Sequence, residues 1–392
     1  MPSPAWAPAP VGRWYAKLSP TPEHPVEFEI RISSKAGALS AVLVNGSAEA
    51  AFTSAAWNGR VLTLELAHYD AKFVAEKKGP GLEGRYTRTT AAGLAEVPFS
   101  ARKEAPAAPP APKGDLSVAG WWGIELADGR GVERLTGIFR QSGGAVTGTM
   151  LSTTGDYGAL HGTFDGENLV LMVFDGVHVY RFEGELLPDG HFAGEFRSRA
   201  NPPVEWRAKK LDGSAAETFL PGGFDIVTSK NPEAPYTFSY ADADGKPVTS
   251  GDPRFAGKPV VVAFMGTWCP NCNDEAPVLR DLYARYRPKG LEIVALSFEY
   301  TDDQDRNRRQ VKRFLERYGI RYPVLLAGTT RAAKDSPAIT QLEGWQGYPT
   351  TLFLDRSHRI VKIHAGFDGP ATGERFTKLK KEMEEAVEGL LR

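Results

Sequence analysis

Trp268-Cys269-Pro270-Asn271-Cys272 holds the only two cysteines in 392 residues. A scaffold built on structural disulfides carries many cysteines, and a reduced enzyme commonly scatters a few inert ones. Here all the sulfur sits in one C-x-x-C. Immediately before it, Val260 to Met265 is an unbroken apolar run, bounded by Gly257-Lys258-Pro259 and by Gly266. Such a run predicts a strand covered on both faces. Downstream, Glu275, Ala276, Val278, Leu279, Leu282, Tyr283 and Tyr286 recur at helical spacing. Pro270 suits the first turn of that helix, where its missing N–H has no partner to lose. Cys269 is therefore expected where a strand ends and a helix begins.

A helix N-terminus offers unpaired N–H groups and about half a positive charge. Both favour a thiolate over a thiol, and the thiolate is the nucleophile. This placement assigns Cys269 the attack on a disulfide and Cys272, one turn on, the release of the product. The chemistry requires at least one of the sulfurs to be open to solvent. Zinc wants about four ligands, and neither a second cysteine pair nor a metal-type pairing among the seven histidines supplies them. A purely structural disulfide at this spacing is the other alternative to redox chemistry.

Gly266-Thr267-Trp268-Cys269-Pro270-Asn271-Cys272-Asn273-Asp274-Glu275-Ala276-Pro277 resembles the active-site segment of the TlpA/ResA-like thiol–disulfide oxidoreductases of the thioredoxin superfamily. Tyr348-Pro349-Thr350-Thr351 resembles the cis-proline loop of the same superfamily. The likeness covers roughly residues 235 to 392. It implies a thioredoxin fold working outside the cytoplasm, periplasmic or otherwise extracytoplasmic, as a protein-disulfide reductase. It also implies that Cys269 is the nucleophile, Cys272 the resolving thiol and Pro349 the cis-proline facing them. Trp268, Tyr348 and Pro349 are then the substrate-binding residues, an extended substrate pairing with the Tyr348 backbone as an added strand. Glu275 matches the acid that the family places three residues after the second cysteine. One departure matters: thioredoxin buries an Asp six residues before its first cysteine, and here that position is Ala263. Proton handling must fall to Glu275 or to water. Glu275 is expected to be partly buried, to titrate high and to act as acid and base for Cys272.

The rest of the chain is β-rich. In a first all-β domain set at 1–104, residues 11–104 alternate apolar and polar, as in Val26-Glu27-Phe28-Glu29-Ile30-Arg31-Ile32, which predicts antiparallel strands with one wet face. Asn58-Gly59 marks a hairpin turn. Residues 105–114 form an Ala/Pro tract, a semi-rigid spacer. Residues 115–212 then repeat the first pattern: Gly12-Arg13-Trp14 corresponds to Gly120-Trp121-Trp122, and Asn58-Gly59 to Asp165-Gly166. A tandem pair of all-β domains, barrels or sandwiches, follows from that duplication. Trp14, Trp57, Trp121, Trp122, Phe164 and Trp206 read as core rather than a ligand groove. Asp242-Ala243-Asp244-Gly245 reads as a turn, since a calcium loop would need a distant bidentate Glu.

The redox module occupies 213–392. Its pattern predicts an entry hairpin near Thr237–Tyr240, strands at Val260–Met265, Leu291–Phe298 and Pro323–Leu326, and a helix facing inward through Val311, Phe314, Leu315 and Tyr318. A short helix around Ala338–Leu342, a hairpin from Thr351–Leu354 to Ile360–His364, and a final helix Phe376–Leu391 complete it. Strand, helix, strand, helix, then hairpin and helix is an α/β order. Arg306, Arg308 and Arg309 read as a solvated face balanced by Asp302, Asp303 and Asp305.

A formal net charge of -1 argues against a nucleic-acid partner. No apolar run is long enough for a membrane span. The Ala/Pro-rich start lacks the basic and apolar regions of a signal peptide and resembles the start of a mature chain. The partners expected are a protein disulfide substrate and a thiol electron donor, with no cofactor and no metal. Two other functions fit the same chain. A thiol peroxidase on this fold keeps a Thr three residues before its reactive Cys, where Gly266 stands. An envelope binding or scaffold protein would use the redox module only secondarily. The β domains are expected to hold the module against a partner or to dimerise it.

Overall fold

The structure, a computed structural model, describes residues 8–112, 114, 116–129, 131–199 and 201–392. The N-terminal stretch 1–7 therefore lies outside the described residues. Two compact units emerge. The first comprises the chain up to Met150 together with Tyr157–Phe219, and the second Leu151–Asp156 together with Leu220–Arg392.

The first unit is all-β. Its first half is a nine-stranded antiparallel sheet running in space from Ala48–Ala51 through Gly12–Leu18 to Ser54–Trp57. Alternation explains its core: in Val26–Lys35 the residues Val26, Phe28, Ile30 and Ile32 are buried and their neighbours are not. The second half closes. Strands Gly131–Ser142 and Ala145–Ser152 pair, completing a ring that runs through Gly120–Asp128, Val204–Leu211 and Asn168–Phe174. The sequence allowed barrel or sandwich, and closure decides for a barrel in this half, because it leaves no edge strand.

Several local features recur in both halves. Trp14 Nε1 donates to Pro10 O at 2.7 Å, and Trp122 Nε1 to Val118 O at 2.8 Å. Lys103 and Lys210 each lie over the corresponding indole. Asn58 Oδ1 takes the N–H groups of Arg60 and Val61, as Asp165 Oδ1 takes those of Glu167 and Asn168. The halves also share a core, with Phe28, Phe73 and Tyr86 against Phe174. Trp14, Trp122, Phe164 and Trp206 are buried in these cores. The stretch 105–112 has no regular structure.

The second unit is built on a seven-stranded sheet. The strand Val260–Met265 lies inside it, parallel to Glu292–Glu299 and antiparallel to Thr350–Leu354. All six of its residues are buried. Val261, Ala263 and Met265 enter one core, and Val260, Val262 and Phe264 the other. The first core is filled by the helices Pro270–Tyr286, Gln304–Tyr318 and Glu374–Leu391, through Leu279, Phe314 and Met383 among others. The second is covered by less regular chain carrying Tyr236, Phe238, Phe255 and Ile339. Here the expected helix around Ala338–Leu342 is a turn. Ile339 N and Thr340 N both bond Ser336 O, and Leu342–Glu343 then pairs with Thr228–Ser229. Too few residues remain before that pairing to wind a helix. Asp242 Oδ1 takes the N–H groups of Asp244 and Lys246, closing the tight turn expected there. No helix among the described residues is long and apolar enough to cross a membrane.

Candidate active site

Cys269 is the N-cap residue of the helix Pro270–Tyr286, with extended backbone and Pro270 in the first turn. Its sulfur accepts the Cys272 N–H at 3.3 Å. This is the placement the strand-to-helix pattern predicts, because a thiolate there meets donors that the helix itself cannot satisfy. The Tyr348-Pro349 bond is cis. Tyr348 O lies 3.9 Å from Cys269 Sγ, so both sequence motifs converge on one sulfur. Both cysteines are free thiols.

Cys272 is 2 % exposed. Burial, reinforced by its contact with Cys269, pushes its thiol well above the ordinary range. Glu275 sits one turn further, also 2 % exposed. Thr351 Oγ1 donates to Glu275 Oε1 at 2.6 Å, and burial pushes the carboxyl up to about 7. Thr351 is the cross-strand partner of Ala263. The strand pair that lacks thioredoxin's Asp thus carries the hydroxyl that anchors a buried acid on the facing helix.

The loop before Cys269 is held from three sides. Trp268 Nε1 donates to Phe298 O at 2.9 Å, and its ring stacks on Tyr300 at 4.3 Å. The same indole meets Tyr348 edge-on at 5.7 Å. Asn273 Nδ2 donates to Thr267 O at 3.1 Å and to Cys269 O at 2.7 Å, while Tyr318 Oη donates to Asn273 Oδ1. Glu299, fully buried, accepts from Thr267 N at 3.0 Å, from Thr267 Oγ1 at 2.9 Å and from Arg306 Nη1 at 3.2 Å. Sequence reasoning missed Asn273 and Glu299. Neither carried a local signal: Glu299 closes a strand that Glu292 also opens, so a carboxylate there does not stand out.

Arg306 corrects the reading of a solvated basic face. Asp303 caps the helix Gln304–Tyr318, which puts Arg306 in its first turn, aimed at the end of the strand carrying Glu299. Arg308 stays exposed beside Asp305. Removing one member of a buried ion pair strands the other charge, at a cost of about 3–5 kcal/mol. Arg306→Ala is expected to lower the stability of the redox unit by that amount in urea denaturation. Arg306→Met combined with Glu299→Gln is expected to cost markedly less, and equal losses would contradict the pairing.

One expectation meets a difference. Exchange needs a reachable sulfur, yet Cys269 is only 4 % exposed. It lies within the apolar cluster that also holds Phe367, with Trp268 and Tyr348 packed against it.

A dithiol at a helix N-terminus, facing a cis-proline on a central mixed sheet, defines a thioredoxin-fold redox protein. The Redoxin family model matches residues 229–379. The thiol–disulfide oxidoreductase ResA of Bacillus cereus is 33% identical over 170 residues, 43% of this chain and 89% of that protein. ResA of Bacillus subtilis is 30% identical over 138 residues, 35% of this chain and 68% of that protein. A solved thiol:disulfide interchange protein of the thioredoxin family from Chlorobium tepidum is 24% identical, covering 42% of this chain and 100% of its own, with a TM-score of 0.32. The chain belongs to the TlpA/ResA-like thiol–disulfide oxidoreductases of the thioredoxin superfamily.

Proposed function

We propose that this protein is an extracytoplasmic reductase of protein disulfides, acting through Cys269 and Cys272. The Cys269 thiolate attacks a substrate disulfide, forming a mixed disulfide and releasing one substrate thiolate, which takes up a proton. Cys272 then loses its proton to Glu275 and attacks the Cys269 sulfur. The second substrate thiol leaves, and an internal Cys269–Cys272 disulfide remains. A thiol donor returns it to the dithiol. Tyr348 and Pro349 with Trp268 would seat the substrate backbone.

The observation that carries this reading is the Cys269 sulfur, capped by the Cys272 N–H and 3.9 Å from Tyr348 O. Peroxide turnover is disfavoured locally. A side chain at Gly266, where such a peroxidase keeps Thr, would overlap the Trp268 indole. The β halves, read as a tandem duplication, would present the redox unit to its partner.

The test is turnover of insulin disulfides by the full chain with dithiothreitol, alongside the reduction potential of the pair. Turnover with a potential near that of thioredoxin, about -270 mV, is expected. A potential near -120 mV, the strongly oxidising end of this fold's range, would reverse the direction. Peroxide consumption without insulin reduction would replace the reading.

A further inference from the structure

The segment Leu151–Asp156 belongs to the redox unit although it lies more than a hundred residues before the cysteines. It is a tight hairpin: Leu151 pairs with Asp156 and Ser152 with Gly155. Ser152 Oγ holds its turn, accepting Thr154 N at 3.2 Å.

The hairpin touches three of the segments around the dithiol: the helix start, the cis-proline loop and the chain after the last strand. Asn271, between the two cysteines, donates through Nδ2 to Thr154 O at 3.5 Å. Thr153 Oγ1 bonds Gln346 Oε1, and Thr154 lies against Gly347, next to Tyr348-Pro349. Gly369 N donates to Asp156 Oδ2 at 2.6 Å. Approach is close enough that a methyl group on Gly155 would overlap the Asn271 amide, and one on Gly366 the Thr154 backbone. Both glycines have positive φ, 131° and 74°, so each serves conformation and contact together.

We propose that Leu151–Asp156 is a built-in strap occupying the peptide-docking track of the redox site. It keeps Cys269 closed until an extended, cysteine-bearing polypeptide displaces it. A substrate chain reaching Cys269 must pass over Asn271 and the Tyr348 loop, the surfaces the strap already contacts. Thr154 O gives Asn271 the acceptor that a substrate carbonyl would give. The contact to Asn271 is long for a hydrogen bond, so the strap's firmest polar anchor is Asp156 on Gly369. In this proposal the strap adds to the packing of Trp268 and Tyr348 around Cys269, a sulfur that the family's chemistry needs to reach. It rests on the exchange reading above.

The experiment is iodoacetamide alkylation of Cys269 in the reduced full chain, comparing wild type with Thr153→Ala/Asp156→Ala. About a tenfold faster alkylation in the variant is expected, with faster insulin reduction. A rate within twofold of wild type overturns the strap. A second measurement needs no strap variant. Hydrogen exchange at 151–156 is followed in Cys272→Ser before and after a cysteine peptide is trapped on Cys269. Loss of protection on trapping supports displacement, and unchanged protection overturns it. Faster alkylation without insulin reduction by either protein overturns the exchange reading and leaves the closure standing.

Discussion

Serine at position 269 is expected to cut disulfide reduction by at least about a thousandfold, because a neutral hydroxyl replaces a thiolate as nucleophile. The fold should tolerate the change. The serine oxygen can take the same Cys272 N–H that the sulfur now takes at 3.3 Å, and Ser is a favoured N-cap residue. Cys272→Ser should behave differently. Cys269 still attacks, but nothing resolves the product, so a mixed disulfide accumulates in equal amount to enzyme. Mass spectrometry after mixing with a disulfide substrate distinguishes the two variants. Adduct on Cys272 in the Cys269→Ser protein, forming at the wild-type rate, would exchange the assigned roles. The burial that raises the Cys272 thiol makes that outcome unexpected.

Glu275→Gln is expected to act on stability and on catalysis with opposite signs. In the folded chain burial raises the Glu275 carboxyl from 4.5 to about 7. Between those values the native state keeps a proton that the unfolded state has lost, so stability falls as pH rises through this window. Above pH 7 the full penalty applies, about 3 kcal/mol at about 1.36 kcal/mol per unit. Below pH 4.5 both states are protonated and the penalty vanishes. Gln cannot ionise, and its carbonyl can still accept from Thr351 Oγ1. Urea denaturation should therefore find the variant more stable than wild type at pH 8, and equal to it at pH 4. Resolution by Cys272 should slow, and its dependence on pH near 7 should disappear. An unchanged pH profile of thiol reactivity would leave Glu275 a structural acid only.

Much of the redox unit could be read from local pattern. Six consecutive apolar residues, rich in Val and bounded by Gly and Pro, fit a strand covered on both faces, and Val260–Met265 is one. The proline after Cys269 and the apolar spacing beyond it placed the helix start correctly. What failed was local pattern that tertiary contact overrode. Arg306 looked like its charged neighbours, but the cap at Asp303 turned it inward towards Glu299. Ala338 to Leu342 has helical composition, yet a short pairing with Thr228–Ser229 stops it at a turn.

By itself the sequence determined the strand-to-helix junction at Cys269 and the α/β order of its module. Each is written in spacing between near neighbours, where a backbone period or a proline acts within a few residues. Only the tertiary structure decided that one β half closes as a barrel. It alone brought Thr351 to Glu275, seated Glu299 beneath the loop before the cysteines, and set Leu151–Asp156 against Asn271 and Gly369. Those contacts join residues tens to hundreds of positions apart. They are chosen by packing and burial of the whole chain, for which no local pattern stands as a sign.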